Sequence, residues 1–225
     1  MRVQALPAAK HLREAWHPSL GTSKPWAAHF RRMSPTFRSN LRTRLLDVKV
    51  PAFSFIYGIP PKEMLDECRA QGILTIGATT TPDEAIVLEQ AGVDVVAASG
   101  FEAGRHCGSF LLPAQESVTG TFSLVPQVAD AVSIPVVAAG GIADARGIVA
   151  AFALGAEGVQ IGTAFLACEE SGASVHHRNA LLGGQAKQTA LTCGFTGRLA
   201  GGIKVVNSVC RKTVEHTYMF EWPPN

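Results

Sequence analysis

Short apolar runs alternate with longer segments of helical character from about residue 50 onwards, and this alternation limits the possible folds more than any other feature. Successive runs start 21, 21, 41 and 23 residues apart, which leaves room for a crossover helix between neighbours. Such βα units build a sheet of parallel strands. Five strands are predicted, at Ala52 to Phe55, Ile73 to Ile76, Asp94 to Ala98, Pro135 to Ala138 and Gly158 to Ile161.

The segments between the first three runs carry the start and stop signals of helices. One has prolines at its start and Gly72 just after its end. The next has Thr81 as a candidate N-cap, Pro82 at the first helical position and Gly92 behind it. Strands such as VDVVAAS are apolar almost throughout, as in a parallel sheet covered on both faces. The predicted fold class is therefore α/β, of the (β/α)8 TIM-barrel type.

The barrel predicted in this way is incomplete. Eight strands close a TIM barrel, whereas about five βα units are visible, corresponding to the C-terminal part of the barrel. An open sheet leaves the strand near Ala52 with unpaired backbone groups. This open edge favours association into a homo-oligomer, pairing with a partner chain, or instability.

The longest connection lies between the third and fourth runs and contains about twenty extra residues, FEAGRHCGSFLLPAQESVTGT. Loops after the carboxyl ends of strands carry the active site in βα folds. Its first part, Ser99 to Gly108, contains three glycines, the carboxylate of Glu102 and His106, the only histidine between residues 50 and 175. An imidazole can donate, accept or remove a proton near neutral pH, although a surface loop with an incidental histidine has the same composition.

Two later strands run directly into helices through glycine-containing turns. The first turn holds Gly140 and Gly141 and is followed by Asp144, and the second holds Gly162 and Thr163. Backbone N–H groups at such turns bind anions together with the positive end of the helix. Paired turns after the last two strands form the phosphate site of many TIM barrels. The pair favours a phosphate-bearing cofactor, while Asp144 can equally be a plain helix N-cap.

The sequence EAGRHCG resembles the loop E-A-G-G-H-x-G of the nitronate monooxygenases, also called nitropropane dioxygenases. The segment PVVAAGGIADARGIVAAFALGAEGVQIGTAFLACEES resembles the FMN-phosphate segment of the same family. The resemblance runs from about Val50 to Ser208 and includes the stretches SFIYG, ATTTPDEA and FTGR. The double-glycine segment is shared with close flavin relatives, including an enoyl-acyl-carrier-protein reductase.

The resemblance implies an FMN-dependent TIM barrel that oxidises alkyl nitronates or nitroalkanes with molecular oxygen. The family's catalytic histidine falls on His106, where it would hold or deprotonate the nitro substrate beside a flavin that accepts an electron. The residues expected to bind FMN are Gly104, Gly140, Gly141, Gln160, Ile161, Gly162 and Thr163. Two positions differ from the family pattern, since Arg105 stands at a family glycine and Ser99 at a family glutamine.

Other candidate residues have ordinary structural explanations. Cys107 follows His106, but adjacent side chains seldom face each other and no third orienting group is visible. His176-His177 is interpreted as a solvated helix start, because no carboxylate or cysteine stands at ligand spacing and no metal site is predicted. Four cations can contact an anionic substrate or lie scattered on the surface, namely Arg178, Lys187, Arg198 and Lys204.

The two ends of the chain differ in composition from its centre. Before Asp47 there are nine Lys or Arg against the single acid Glu14. Residues 1–48 are predicted to be a poorly structured leader, compatible with an organelle transit peptide, an RNA-contacting tail or unselected sequence. Residues 49–209 are predicted to form the FMN-binding domain, and residues 210–225 a C-terminal tail.

The overall composition indicates a protein with a buried core. Hydrophobic residues make up 47% of the chain and charged residues 17%, which excludes a mostly disordered polymer. The five cysteines are odd in number and lack metal-ligand spacing. No apolar run reaches the length of a membrane span. Neither a membrane nor a nucleic acid is predicted as a partner, and the expected location is the cytoplasm, or an organelle if the leader is a transit peptide.

Two alternative functions stay open. One is an FMN-dependent enoyl or quinone reductase that uses NAD(P)H. The other is a non-catalytic barrel fragment that is stable only beside another chain. Consumption of NAD(P)H distinguishes the first from a nitronate oxidase, and failure to hold flavin supports the second.

Overall fold

The computed structural model of the chain describes residues 50–194 and 196–204. Its strands are β1 (Ala52–Phe55), β2 (Leu74–Thr79), β3 (Val95–Ser99), β4 (Arg105–His106), β5 (Val136–Ala139), β6 (Gly158–Gln160), β7 (Thr189–Thr192) and β8 (Ala200–Ile203). Its α-helices are α1 (Lys62–Ala70), α2 (Pro82–Gln90), α3 (Thr121–Ala131), α4 (Ala145–Ala153), α5 (Thr163–Leu166) and α6 (Val175–Leu182). Five strands form a parallel sheet in the order β1-β2-β3-β5-β6, and three form a second sheet in the order β4-β8-β7.

All five strands predicted from the apolar runs are present, and neighbouring strands of the large sheet are parallel. Their boundaries differ from the predicted ones by no more than three residues, the largest difference being the extension of β2 beyond Ile76 to Thr79. Gly77 lies in this extension, where a Cβ atom would stand 2.6 Å from Leu88 Cδ2 on α2. A glycine inside the strand therefore lets α2 pack closely on the sheet.

Helices α1 and α2 begin and end at the residues predicted from the sequence signals. The Thr81 side chain accepts a hydrogen bond from the Glu84 N–H (3.2 Å) and caps α2. Pro61 is the N-cap residue of α1. Gly72 and Gly92, which follow α1 and α2, have φ of +69° and +81°, the left-handed conformation in which glycine commonly ends a helix.

The core lies between the parallel sheet and its covering helices. Buried strand residues such as Val96 and Val136 meet buried helix residues such as Leu88, Leu124 and Val128. The central strands β3 (VVAAS) and β5 (VVAA) consist almost entirely of small apolar residues, so helices can lie close to the sheet. The core therefore fixes the relative positions of the carboxyl ends of the strands.

The three-stranded sheet was not predicted from the sequence. β8 pairs antiparallel with β4, placing Ala200 opposite His106 and Gly201 opposite Arg105. It also pairs antiparallel with β7. β4 is two residues long and β8 contains two glycines, so neither shows the apolar alternation by which strands are recognised.

In the described part of the chain, β1 and β6 are the edge strands of the parallel sheet. The association through the edge near Ala52 stays a prediction. The predicted leader of residues 1–48 and the tail of residues 210–225 lie outside the described residues, so the division into domains also stays a prediction. Among the described helices, none is both long and apolar enough to cross a membrane.

Candidate functional site

The carboxyl ends of β3, β5 and β6 lie side by side, and the predicted functional loops begin there. Ser99 pairs with Ala139 across the sheet, and Ala139 pairs with Gln160. Gly100, the first residue after β3, donates its N–H to the Ala139 carbonyl (3.0 Å). The long loop between β3 and α3 (residues 100–120) and both glycine turns therefore open at one edge of the sheet, as in TIM-barrel active sites.

Glu102 connects the beginning of the long loop to helix α3. Its Oε2 accepts hydrogen bonds from the Thr121 backbone N–H (2.9 Å) and the Thr121 hydroxyl (3.1 Å). A carboxylate at this position satisfies a helix N-terminus and its dipole. The Thr121 hydroxyl also lies 3.0 Å from the Gly140 carbonyl oxygen. Glu102 thus fixes the geometry between the long loop, α3 and the double-glycine turn.

The predicted FMN-binding glycines lie where these loops touch. A Cβ atom on Gly140 would stand 2.8 Å from the Ala103 nitrogen, and one on Gly104 would stand 3.0 Å from Thr163 Oγ1. Gly140 and Gly141 have φ of +103° and +69°, which side-chain-bearing residues rarely adopt. The structure therefore brings Gly104 next to Thr163 and the double glycine next to the long loop.

Backbone N–H groups at both glycine turns remain available for an anion. Within the described part of the chain, the N–H groups of Gly141, Ile142, Thr163 and Ala164 donate to no protein acceptor. Gly162 is exposed, and a Cβ atom there would meet no other atom within 4 Å. Unpaired N–H groups beside open space fit a phosphate group. The two remaining residues predicted to contact FMN lie at the end of β6. Gln160, the last residue of the strand, is exposed, and Ile161, the next residue, is half-buried.

Asp144 is the N-cap of α4. Its carboxylate accepts hydrogen bonds from the N–H groups of Arg146 (3.0 Å) and Gly147 (3.2 Å) and from the Arg146 guanidinium (2.6 Å). The Arg146 hydrogen bond holds the pKa of Asp144 below its usual value, and the Gly147 N–H acts in the same direction. Because this carboxylate already occupies the N-terminus of α4, an anion is better accommodated at the glycine turns themselves.

His106 is half-buried on β4, and its Nε2 lies 2.6 Å from the Thr196 hydroxyl oxygen. The next residue, Cys107, donates its N–H to the Leu199 carbonyl (2.9 Å), so β8 and the turn before it determine where the imidazole lies. The sequence pointed to His106 but missed Thr196. The FTGR stretch that contains it was noted only as part of the family resemblance.

Tyr57, which the sequence did not single out, follows β1 and packs against Arg198. The guanidinium carbon lies 5.0 Å from the ring centroid, and Tyr57 has φ of +71°. Burial raises the pKa of Tyr57, while its hydrogen bond with Arg198 acts in the opposite direction. Backbone strain of this kind occurs at functional sites. Arg198, one of the four candidate cations, therefore has a defined position next to Tyr57 near the site.

Burial also raises the pKa of the Cys107 thiol. The thiol lies 3.9 Å from the Ala114 carbonyl oxygen, a weak hydrogen-bond geometry. Since the thiolate is the nucleophilic form of cysteine, this environment favours the unreactive thiol. The interpretation of Cys107 as an ordinary loop residue is therefore supported.

The remaining candidates are exposed or have local hydrogen-bond partners. His176 and His177 are exposed in the first turn of α6, where the His177 N–H donates to the Ser174 hydroxyl (3.2 Å). The Arg178 guanidinium donates to the Glu169 carbonyl (3.2 Å). Lys187 and Lys204 are exposed. Among the described residues, no cluster of three or more His, Cys, Asp or Glu side chains can hold a metal ion.

A small cavity lies beside His106. Its volume is about 10 Å³, enough for one water molecule, and Thr80, Ser99, Arg105 and Leu191 contribute to its lining. An isoalloxazine ring needs far more space than this. This cavity alone is therefore too small to hold a flavin ring.

Arg105 occupies a position where its backbone favours glycine. Its φ is +77°, which costs an L-residue roughly 1 to 2 kcal/mol, and glycine loses part of that advantage through its greater freedom in the unfolded chain. We expect Arg105→Gly to raise the free energy of unfolding by about 1 kcal/mol in urea denaturation. Arg105→Ala removes the charge but keeps the Cβ atom. An equal gain in that variant would assign the effect to the cation instead of the backbone.

Comparison with known proteins gives a consistent family match. The sequence model of the family described as nitronate monooxygenase matches residues 7–220, so the similarity begins well before Val50 and continues past Ser208. Probable nitronate monooxygenases from Staphylococcus aureus (strain Newman) and Staphylococcus haemolyticus are 46% identical over 168 residues and 49% identical over 169 residues. Each alignment covers 74% of this chain and 47% of the relative. The chain thus matches about half the length of these curated relatives.

Solved structures show the same relationship. A nitroalkane oxidase from Streptomyces ansochromogenes superposes with a TM-score of 0.71 at 44% identity, over 74% of this chain and 49% of that one. FabK from Thermotoga maritima superposes with a TM-score of 0.66 at 35% identity, over 79% of this chain and 53% of that one. These neighbours are TIM-barrel enzymes, and the described α/β fold corresponds to part of such a barrel.

Proposed function

This chain belongs to the nitronate monooxygenase family, and from that premise we propose that it binds FMN and oxidises alkyl nitronates or nitroalkanes with molecular oxygen. One observation carries the proposal. A histidine held by a hydroxyl lies in the same loop as Gly104, which touches Thr163 in the predicted phosphate cradle. A base on a loop that comes close to the anion site at Gly104 suits a cofactor that extends from its phosphate to the reacting atoms.

The residues that would hold FMN do so through the backbone. The N–H groups of Gly141, Ile142, Thr163 and Ala164 have no backbone acceptor among the described residues, and Gly162 has open space around it, so these groups can donate to phosphate oxygens. When bound, the flavin supplies the electron transfer that side chains cannot perform. The protein contributes binding, orientation and proton transfer.

His106 would act on the nitro substrate. If Nε2 carries the hydrogen and donates it to Thr196 Oγ1, the lone pair of Nδ1 is left to remove the proton beside the nitro group. After that transfer the imidazolium lies beside an anionic nitronate, whose oxygens it can bind. Arg198, held against Tyr57, adds positive charge on the same side of the structure. We therefore assign proton transfer and orientation to His106.

The direct test is the visible absorption spectrum of the purified chain. We expect the bands of oxidised flavin, and release of FMN on denaturation. Oxygen uptake on addition of a small nitronate then tests the activity. A chain that stays colourless and takes up no added FMN would contradict the proposal and support the non-catalytic alternative.

The phosphate cradle can be tested without disturbing the fold. Gly162 has a negative φ and open space around it, so Gly162→Leu is expected to leave the melting temperature unchanged while its side chain fills the cradle. We expect FMN affinity to fall on the order of 100-fold, as for loss of about 3 kcal/mol of binding energy. Gly172→Leu is the matched control, because Gly172 also has open space around it. Equal FMN affinity in both variants would exclude Gly162 from the cofactor site.

The similarity to FabK, an enoyl reductase, favours an FMN-dependent enoyl or quinone reductase as the second candidate. This reaction needs NAD(P)H, whereas nitronate oxidation uses oxygen alone as the oxidant of the reduced flavin. Oxidation of NAD(P)H measured at 340 nm with an enoyl thioester or a quinone separates the two. Turnover of NAD(P)H without nitronate-dependent oxygen uptake would replace the first proposal by the second.

A further inference from the structure

Glu84 is a buried carboxylate that the proposed mechanism does not use. It lies in the first turn of α2 with 0% of its surface exposed. Its Oε2 accepts hydrogen bonds from the Thr80 N–H (2.7 Å) and the Thr80 hydroxyl (2.9 Å). Burial of a carboxylate is costly unless its oxygens are hydrogen-bonded. Its presence in the core therefore requires a specific set of donors.

The other oxygen of Glu84 binds the long loop. Its Oε1 accepts hydrogen bonds from the N–H groups of Phe110 (2.6 Å) and Leu111 (3.0 Å), and the Ser109 hydroxyl lies 3.1 Å away. Four donor groups thus bind the two oxygens, which fits the acceptor-only character of an ionised carboxylate, while the Ser109 hydroxyl has a shorter contact with the Leu112 carbonyl oxygen (2.6 Å). Glu84 joins the end of β2 to a loop segment 26 residues further along the chain.

This segment begins three residues after His106, a distance of about 10 Å at most along an extended chain. On the other side, β4 is held by its pairing with β8. Gly108 lies between the two attachments and packs tightly, since a Cβ atom there would stand 2.6 Å from Ile56 Cγ1. A shift of residues 109–111 would therefore be transmitted to the imidazole.

We propose that Glu84 is a positioning residue for His106, acting by fixing residues 109–111 of the long loop. It is completely buried, so it cannot contact substrate or exchange protons with it. The inference rests on the proposed role of His106 but concerns a property of the protein that can be measured without flavin. A small misplacement of a catalytic group, of about 1 Å, can cost on the order of 100-fold in rate.

Glu84→Gln is the informative variant because it keeps the shape of the side chain. An amide presents one acceptor and one donor group, so its NH2 group must face either the Thr80 donors or those of Phe110 and Leu111. Glu89→Gln is the matched control on the same helix, because the Glu89 carboxylate accepts a hydrogen bond from the Ser133 N–H (2.7 Å) far from the loop. Both substitutions remove one charge from α2.

We expect amide hydrogen exchange at Phe110 and Leu111 to be at least tenfold faster in Glu84→Gln, the size expected from loss of one charge-assisted hydrogen bond. The imidazole NMR signals of His106 should shift in the same variant. In the flavin-loaded protein, kcat should fall roughly tenfold or more, while the FMN dissociation constant changes by less than about threefold. Glu89→Gln should leave all four measurements at wild-type values.

Two results would overturn the inference. One is faster exchange at Phe110 and Leu111 with unchanged His106 signals and unchanged kcat, because Glu84 would then be structural only. The other is an equal shift of the His106 signals in Glu89→Gln. If Glu84→Gln does not fold, Ser109→Ala decides, since it removes a hydroxyl that lies 3.1 Å from Glu84 Oε1 and 2.6 Å from the Leu112 carbonyl oxygen and should shift the His106 signals by a smaller amount. A protein that binds no FMN would contradict the proposed function, whereas the exchange and NMR results would still decide the role of Glu84.

Discussion

Replacement of His106 by asparagine is expected to lower kcat for a neutral nitroalkane by roughly 10²- to 10⁴-fold, the usual contribution of a general base. Asparagine is shorter than histidine and does not reproduce the contact of Nε2 with Thr196, but the pairing of β4 with β8 retains the loop geometry. The asparagine side chain cannot remove a proton. FMN affinity should change little, because the proposed phosphate cradle involves the glycine turns and not the imidazole. Initial rates of oxygen uptake at saturating nitroalkane measure the effect.

The choice of substrate separates the two roles assigned to His106. A nitronate is already deprotonated, so its oxidation needs no base and depends only on how the side chain orients the nitro group. We therefore expect a much smaller loss of kcat with the nitronate than with the parent nitroalkane. His176→Asn, an exposed histidine on α6, is the control. A nitroalkane rate within about threefold of wild type in His106→Asn would show that another group acts as the base.

The parallel sheet could be predicted because burial on both faces determines the composition of its strands. A strand such as β3 must be apolar almost throughout, and the turns around it need glycine, proline and capping residues at set positions. The helix α2 shows the same relation, with Thr81 and Pro82 at its start and Gly92 behind it. These signals are local, so they can be recognised without knowledge of the tertiary structure.

The environment of His106 could not be predicted because it is formed by distant parts of the chain. Thr196 lies 90 residues from His106, and β5, β6 and β7 stand between β4 and β8 along the chain. The buried Glu84 looked like an ordinary acid in the first turn of a helix, where negative charge is common. Only the packing of the long loop onto α2 shows that its partners include Phe110 and Leu111.

Gly100 has a role in packing that the sequence did not indicate. The sequence places the three glycines of this loop in a candidate active site. At Gly100 the space is instead filled by the protein, since a Cβ atom there would overlap the hydroxyl and the backbone nitrogen of Thr121 and stand 2.6 Å from Glu102 Oε2. A Cβ atom added to Gly104 would be close only to Thr163 Oγ1, at 3.0 Å. The first glycine is thus required by packing, and the second lies beside the predicted cofactor cradle.

Gly100→Ala is therefore expected to destabilise the fold by about 3 kcal/mol or more, at the upper end of the usual cost of overpacking. The backbone nitrogen of Thr121 cannot move away without displacing the start of α3, and the Glu102 carboxylate that binds this nitrogen must move as well. Such a loss is a large part of the roughly 5 to 15 kcal/mol that stabilises a typical domain. The midpoint of urea denaturation at constant m-value measures it.

Gly104→Ala separates packing from cofactor binding in the same loop. Its Cβ atom would meet a side-chain oxygen on the protein surface, which can rotate, so we expect a change in the free energy of unfolding within about 1 kcal/mol. FMN affinity should nevertheless fall, because the added methyl group enters the space between the long loop and Thr163. If Gly104→Ala were as unstable as Gly100→Ala, close packing would explain both glycines. A stable Gly104→Ala variant with wild-type FMN affinity would place the cofactor elsewhere than beside Gly104.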